Sequence, residues 1–154
     1  MITQAVILAA GSGSRLAASQ EQHEEFSTPL LEVGGLTLLG HALNGCMEAG
    51  FERAVVVTGY RADLVEHEAL RFGSLEVTTV FNDRWREPNG LSVLAAREAV
   101  AGDFLLLMAD HLFDSSILRD HATSTSESDV VLAVDRKLDS IPDLVDATKV
   151  RACL

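Results

Sequence analysis

The stretch QAVILAAGSGSRL, residues 4–16, runs an uninterrupted apolar segment into glycines and serines that close on an arginine. An apolar run of that length without polar alternation reads as a strand buried on both faces. Gly11 and Gly13 follow directly, and they let the backbone turn so that successive N–H groups point into one small volume. Such a concavity suits an anion, phosphate above all. Ser12 and Ser14 add hydroxyl donors, and Arg15 adds a planar cation that pairs bidentately with phosphate and stabilises charge growing on it during transfer. The loop is not a Walker loop, since no Gly-Lys-Ser/Thr follows, and it lacks the third glycine of a dinucleotide fingerprint. From these residues alone, a phosphate loop and a tight turn needed only for packing both stay open.

Outward from this stretch, apolar runs of strand length alternate with segments of helical period, separated by glycine, asparagine or aspartate. Strands are expected at residues 5–9, 53–58, 75–81, 104–108 and 129–134. Between them, TLLGHALNGCMEAG places Leu38, Leu39, Ala42, Leu43, Cys46 and Met47 on one stripe and stops at Gly50; RADLVEHEALRFG and LSVLAAREAVAG repeat the design. The alternation predicts an α/β fold, a doubly wound, mostly parallel sheet with helices on both faces, as a single domain over residues 1–154. ASQEQHEEFS reads as a polar hinge and TSTSES as a surface turn before the fifth strand.

The composition, 47% hydrophobic and 23% charged with only 3 Pro in 154 residues, is that of a folded globular chain. Its net charge of −11 argues against a general nucleic-acid-binding surface, so any phosphate must be held locally. Cys46 and Cys153 are too few for a disulfide framework or metal cluster, and a reducing, cytoplasmic setting fits them. With no basic leader and no apolar run of membrane-spanning length, membrane contact from this chain is not expected.

The motifs extend along the chain. LAAGSGSR, then PLLEVGGLTLL, EAGFERAVVVTGY, NGLSVLAAREAV and DFLLLMADHLFD together resemble the nucleotidyltransferases that join a nucleoside triphosphate to a sugar phosphate or similar alcohol phosphate, the MobA-like group. Within that group, the Asn-Gly-x-Ser and Met-x-Asp-His elements, with AVDRK and DATKV after them, most resemble CTP:inositol-1-phosphate cytidylyltransferases, the cytidylyltransferase part of bifunctional IPC transferase/DIPP synthases. The resemblance implies cytidylyl transfer from CTP to a small alcohol or sugar phosphate, inositol 1-phosphate foremost, with release of pyrophosphate. It implies nucleotide contacts from Leu8, Ala9, Ala10, Gly11, Ser12, Gly13, Ser14, Arg15, Asn89, Gly90 and Ser92. Arg15 and Lys149 would act on the reacting phosphates, and Asp110 would bind Mg²⁺. It covers nearly all of this chain but only the first part of the family domain, which leaves a homodimer or further C-terminal strands to close the sheet.

The residues read independently agree in part. Asp110 follows a buried strand, at the edge where α/β ligands bind, and a hard oxygen there suits Mg²⁺, which takes one or two carboxylates and fills its shell with water and phosphate. Asp114, before SSIL, is the better helix cap, and His111 reads as a hydrogen-bonded neighbour of Asp110 rather than a catalyst. Asn89, Gly90 and Ser92 offer amide, backbone and hydroxyl groups to a pyrimidine edge or its ribose, or equally form a turn with Ser92 capping a helix. Trp85 reads as packing or as a stacking surface. One departure stands out: where the family pattern has a lysine before Pro-Leu, this chain has Thr28, a loss expected to cost on the order of hundredfold or more in rate if uncompensated. Guanylyl or uridylyl transfer and a non-catalytic nucleotide-binding or interaction role are the alternatives. A dinucleotide-dependent oxidoreductase is the weakest, because the second strand ends in Thr58 and Gly59 rather than an acidic residue.

Overall fold

The computed structural model describes residues 1–13, 27–124, 126 and 128–134. The chain divides into two compact units, Met1–Ser124 and Thr125–Leu154. In the first, the described strands of the main sheet are β1 (Gln4–Leu8), β4 (Arg53–Thr58), β5 (Glu76–Phe81) and β6 (Leu105–Met108). They pair in parallel in the order β5-β4-β1-β6. A small hairpin, β2 (Glu32–Val33) and β3 (Leu36–Thr37), precedes α1 (Leu38–Ala49); its turn is Gly34-Gly35 with φ of 61° and 89°, which only glycine adopts freely. The remaining helices are α2 (Ala62–Ala69), α3 (Gly90–Ala95) with a 3₁₀ turn at Ala96–Glu98, and α4 (Ser115–Thr123).

The sheet separates two apolar layers because neighbouring residues of a strand face opposite ways. Ala5, Ile7 and Ala9 with Ala54 and Val56 pack against Leu39, Leu43 and Cys46 of α1, Val65 of α2 and Leu118 of α4. Val6, Leu8 and Ala10 with Val55 and Val57 pack on the other face against Val93 and Ala96. The crossover from β5 through α3 to β6 therefore covers the face opposite α1 and α2, which makes the sheet doubly wound as expected. Cys46 sits in the first layer, where burial pushes its thiol up to about 12, so it behaves as a small apolar side chain. α1 follows its sequence pattern closely: Thr37 caps it by accepting from Gly40 N–H at 2.9 Å, and Gly50 ends it in the left-handed conformation with φ of 87°. The Thr37 hydroxyl also donates to the buried Glu68 at 2.7 Å, and Glu68 pairs with Arg71, tying the start of α1 to α2.

The strand expected at 129–134 is not formed. The described residues 128–134 hold bends and irregular chain with no ladder partner. An apolar run becomes a strand only when a neighbour accepts its backbone hydrogen bonds, and hydropathy does not report that partner.

Candidate functional site

In an open α/β sheet, ligands bind beyond the carboxyl ends of the strands, where chain connections diverge to opposite faces. Here the divergence falls between β1, which leads toward β4, and β6. Four loops meet at that edge, one after each strand. They are joined to the ladder by backbone bonds that run past the strands: Ala9 N–H to Val57 O at 2.9 Å, Ala109 N–H to Leu8 O at 3.0 Å, Tyr60 N–H to Ala10 O at 2.9 Å and Asn82 N–H to Thr58 O at 2.8 Å. The loop after β1 is thus held on both sides before it reaches its glycines.

Leu8, Ala9 and Ala10 are buried with their side chains in the core layers, which leaves their backbone as what a ligand would meet. The described structure demands glycine at only one of the two loop positions: Gly13 has φ of 65°, which disfavours any side chain, whereas a Cβ on Gly11 would meet nothing among the described residues within 4 Å. Ser12 is half-buried beside them. Ser14, Arg15 and Lys149 lie outside the described residues. Thr28 opens a 3₁₀ turn, Thr28–Leu30, with its side chain buried and its hydroxyl, like that of Ser27, without a hydrogen-bond partner among the described residues.

Asp110 projects from the turn just after β6, next to the root of the β1 loop, because Leu8 and Met108 are paired in register. His111 Nδ1 lies 2.6 Å from its Oδ1, with both side chains accessible. Among the described residues no group of three or more His, Cys, Asp or Glu is arranged to hold a metal. A lone accessible carboxylate fits Mg²⁺ only in the mode where phosphate and water supply most ligands. Asp114 caps α4, accepting from Ser116 N–H at 2.8 Å, and Ser116 holds its carboxyl below the usual range. A cleft of about 530 Å³ beside α1, lined by His41, Asn44, Glu48, His111, Phe113 and Asp114 among others, contains none of the residues expected to bind nucleotide.

On the other flank stands the loop after β5. Asn89 occupies the N-cap position of α3 without a side-chain bond, and Asn89 and Gly90 are exposed. Ser92 lies inside α3 rather than capping it: only 5% exposed, its hydroxyl accepts from the Asn82 amide at 2.9 Å, while Asn82 Oδ1 accepts from Arg84 N–H at 3.0 Å. The pair clamps the loop to its helix, and Asn82 was not foreseen because its partner is ten residues away. Trp85 packs on the second core layer, and its Cβ and Cγ fill the space a side chain at Gly59 would need. The Tyr60 ring stands 5.3 Å from the Trp85 ring at 52°, and the Arg86 guanidinium covers Trp85 at 4.0 Å. Packing is therefore the observed role of Trp85. Arg84 is committed to Glu87 through two bonds of 2.7 and 2.8 Å, which hold its own pKa up and the Glu87 carboxyl down. Arg61, at the N-cap of α2, adopts φ of 51°, a conformation uncommon for a residue with a side chain and frequent at functional edges.

The fold is that of an open, doubly wound α/β domain whose loops gather at the carboxyl edge of a parallel sheet. The chain belongs to the MobA-like NTP transferase domain family, whose pattern matches residues 5–151. It is 35% identical over 148 residues to a bifunctional IPC transferase and DIPP synthase of Rubrobacter xylanophilus, covering 96% of this chain and 32% of that protein. A UTP–glucose-1-phosphate uridylyltransferase, AglF, of Haloferax volcanii is 30% identical over 117 residues, 74% of this chain and 46% of its own length. The structure of the inositol-1-phosphate CTP transferase from T. maritima superposes with a TM-score of 0.66 at 28% identity, covering 82% of this chain and 50% of that one. The chain thus spans half or less of the length of each of these relatives. No helix among the described residues is long and apolar enough to cross a membrane.

Proposed function

We propose that this chain is the nucleotide-binding part of a cytidylyltransferase that moves a cytidylyl group from CTP to a small alcohol or sugar phosphate, inositol 1-phosphate being the leading candidate. The observation that carries it is the juxtaposition across β1 and β6: the glycine loop and Asp110 leave adjacent, paired strands at the edge where the sheet's connections diverge. An acceptor phosphate oxygen attacks the α-phosphorus in line, a new P–O bond forms, the bond to the β-phosphate oxygen breaks, and pyrophosphate leaves with the electron pair. The protein needs no covalent step, only positioning and charge stabilisation. Backbone N–H groups of Gly11, Ser12 and Gly13 would hold the triphosphate, and Arg15 and Lys149 would neutralise the reacting phosphates. Mg²⁺ held by Asp110 would neutralise phosphate charge and align the leaving group. Asn89 and Gly90 would meet the nucleoside, steadied by the Ser92–Asn82 clamp. The likeness to the T. maritima enzyme and to the R. xylanophilus protein supports cytidine. The likeness to AglF supports uridylyl transfer as the second reading.

The test is calorimetric titration of CTP, UTP, GTP and ATP with and without Mg²⁺ into the chain and into Arg15→Ala and Asp110→Ala. Magnesium-dependent binding that favours CTP and is lost in both variants is expected, followed by pyrophosphate release with inositol 1-phosphate. A folded chain that binds none of the four nucleotides overturns the reading.

A further inference from the structure

Arg86 is unlike the other described cations whose partners are visible. Arg53, Arg71 and Arg84 face carboxylates at 3.4, 2.7 and 2.7 Å, Arg97 faces one at 3.8 Å, and Arg119 bonds a backbone carbonyl. Arg86 has no ion pair among the described residues; it is exposed and rests on the Trp85 ring. In a chain with 23 acidic residues, a guanidinium that lies over an aromatic ring and has no carboxylate partner among the described residues keeps its donors free. Several contacts set the mounting: Trp85 is seated on Gly59 and flanked by Tyr60, and Asn82 ties the start of the loop through Ser92 and Arg84 N–H.

Its position follows from the sheet order. Trp85 touches Gly59, beside the Ala10 carbonyl, on the β4 and β5 side of the glycine loop, whereas Asp110 lies on the β6 side. Strands lie about 4.8 Å apart, so the loops after β6 and β5 are about 14 Å apart across three gaps, a span comparable with an extended nucleoside triphosphate. With phosphates and metal at β1 and β6, the base end reaches the loop that carries Arg86.

We infer that Arg86, backed by Trp85, selects the base. This rests on the nucleotidyltransferase reading above and deepens it. A guanidinium fork donates two parallel N–H bonds to adjacent acceptors. Cytosine presents O2 and unprotonated N3 side by side, and guanine presents O6 and N7. Uracil carries a proton on N3 and offers the fork a single oxygen, and adenine has no carbonyl. The fork therefore favours cytosine over uracil and adenine, and it leaves guanine as the competitor that it does not exclude.

The experiment measures Mg²⁺-dependent dissociation constants of CTP, UTP, GTP and ATP for the chain, for Arg86→Ala and for Arg86→Lys. Both substitutions are at an exposed side chain, and circular dichroism checks the fold. The expected result is that Arg86→Ala weakens CTP by about tenfold or more while changing UTP and ATP by less than about threefold, the scale of one bidentate base contact. Arg86→Lys keeps the charge but not the fork, and it is expected to show the same loss of discrimination. An equal loss for all four nucleotides would assign Arg86 to phosphate and overturn base selection, as would rescue by lysine. Nucleotide binding that is unaltered in Arg86→Ala overturns the inference and leaves the function standing; absence of nucleotide binding by the unsubstituted chain overturns both.

Discussion

Replacing Gly59 with alanine tests whether the edge of the sheet is assembled as described. The added Cβ would stand 2.4 Å from Trp85 Cβ, 2.8 Å from Trp85 Cγ and 2.8 Å from the Ala10 carbonyl oxygen. Carbon atoms settle at about 3.5–4.0 Å, so Trp85 must retreat by more than 1 Å, roughly speaking. Ala10 yields less readily, because its carbonyl accepts from Tyr60 N–H at 2.9 Å. Gly59 does not need glycine for its own backbone, since its φ lies outside the left-handed region. Alanine would therefore gain about 0.4–1 kcal/mol by restricting the unfolded chain. Overpacking costs about 1–3 kcal/mol, so a net loss of about 1–2 kcal/mol is expected, which in a chain of this size lowers Tm by about 2–8 °C. Urea unfolding of Gly59→Ala, alone and on a Trp85→Gly background that removes both Trp85 atoms, reads the cause. The penalty should shrink by about 1 kcal/mol on the second background, where only the Ala10 contact remains. A neutral or stabilising Gly59→Ala, or an identical penalty in both backgrounds, would refute the contact between the β4 and β5 loops.

Two further outcomes follow from the same region and from α4. Ser92→Ala leaves the Asn82 amide buried at 4% exposure without its acceptor, and a loss of about 1–3 kcal/mol in urea unfolding is expected; a cost below the error of that measurement would mean water replaces the hydroxyl and the clamp is not structural. The Asp114 carboxyl is held below its usual range by Ser116, chiefly through the side-chain hydrogen bond. A lowered folded pKa gives stability that is complete above the unfolded value and disappears as pH falls through the folded one, so the cap should weaken only on acidification below about pH 4. Comparing urea midpoints of Asp114→Asn and the unsubstituted chain between neutral and acid pH checks the sign, since the two curves should converge on acidification; divergence toward low pH would contradict it.

The sheet was legible because strands buried on both faces leave unbroken apolar runs, and the runs at residues 5–9 and 53–58 coincide with β1 and β4 to within a residue. α1 was legible for a similar reason, its stripe, cap and terminal glycine all lying within one local stretch. What stayed hidden depends on residues far apart in sequence. In the sequence Gly59 stands only as the end of the second strand, yet its constraint is Trp85; Ser92 is open there as a nucleoside contact or a cap, and the structure gives it Asn82 as partner. The run at 129–134 has the hydropathy of a strand but no ladder, a property of the neighbour rather than of the segment. The candidate site divides the same way: the motif named Gly13 and Asp110, and only the structure shows Arg84 neutralised by Glu87 and Arg86 left with its donors free.

That division of the cations also answers how a chain of net charge −11 would accept a polyanionic nucleotide. Exposed charges farther than a Debye length, about 8 Å at physiological salt, are largely screened, so the acidic exterior acts weakly at the site. On the proposed reading, what the ligand would meet is local: the loop that turns at Gly13, the guanidinium of Arg86 over Trp85, and the accessible Asp110 carboxylate. An unshielded carboxylate beside a triphosphate would repel it, so Asp110 favours binding only when a divalent cation stands between them. Magnesium dependence is therefore the expected consequence of this charge arrangement, and a nucleotide bound more tightly by Asp110→Ala without metal would follow from the same balance.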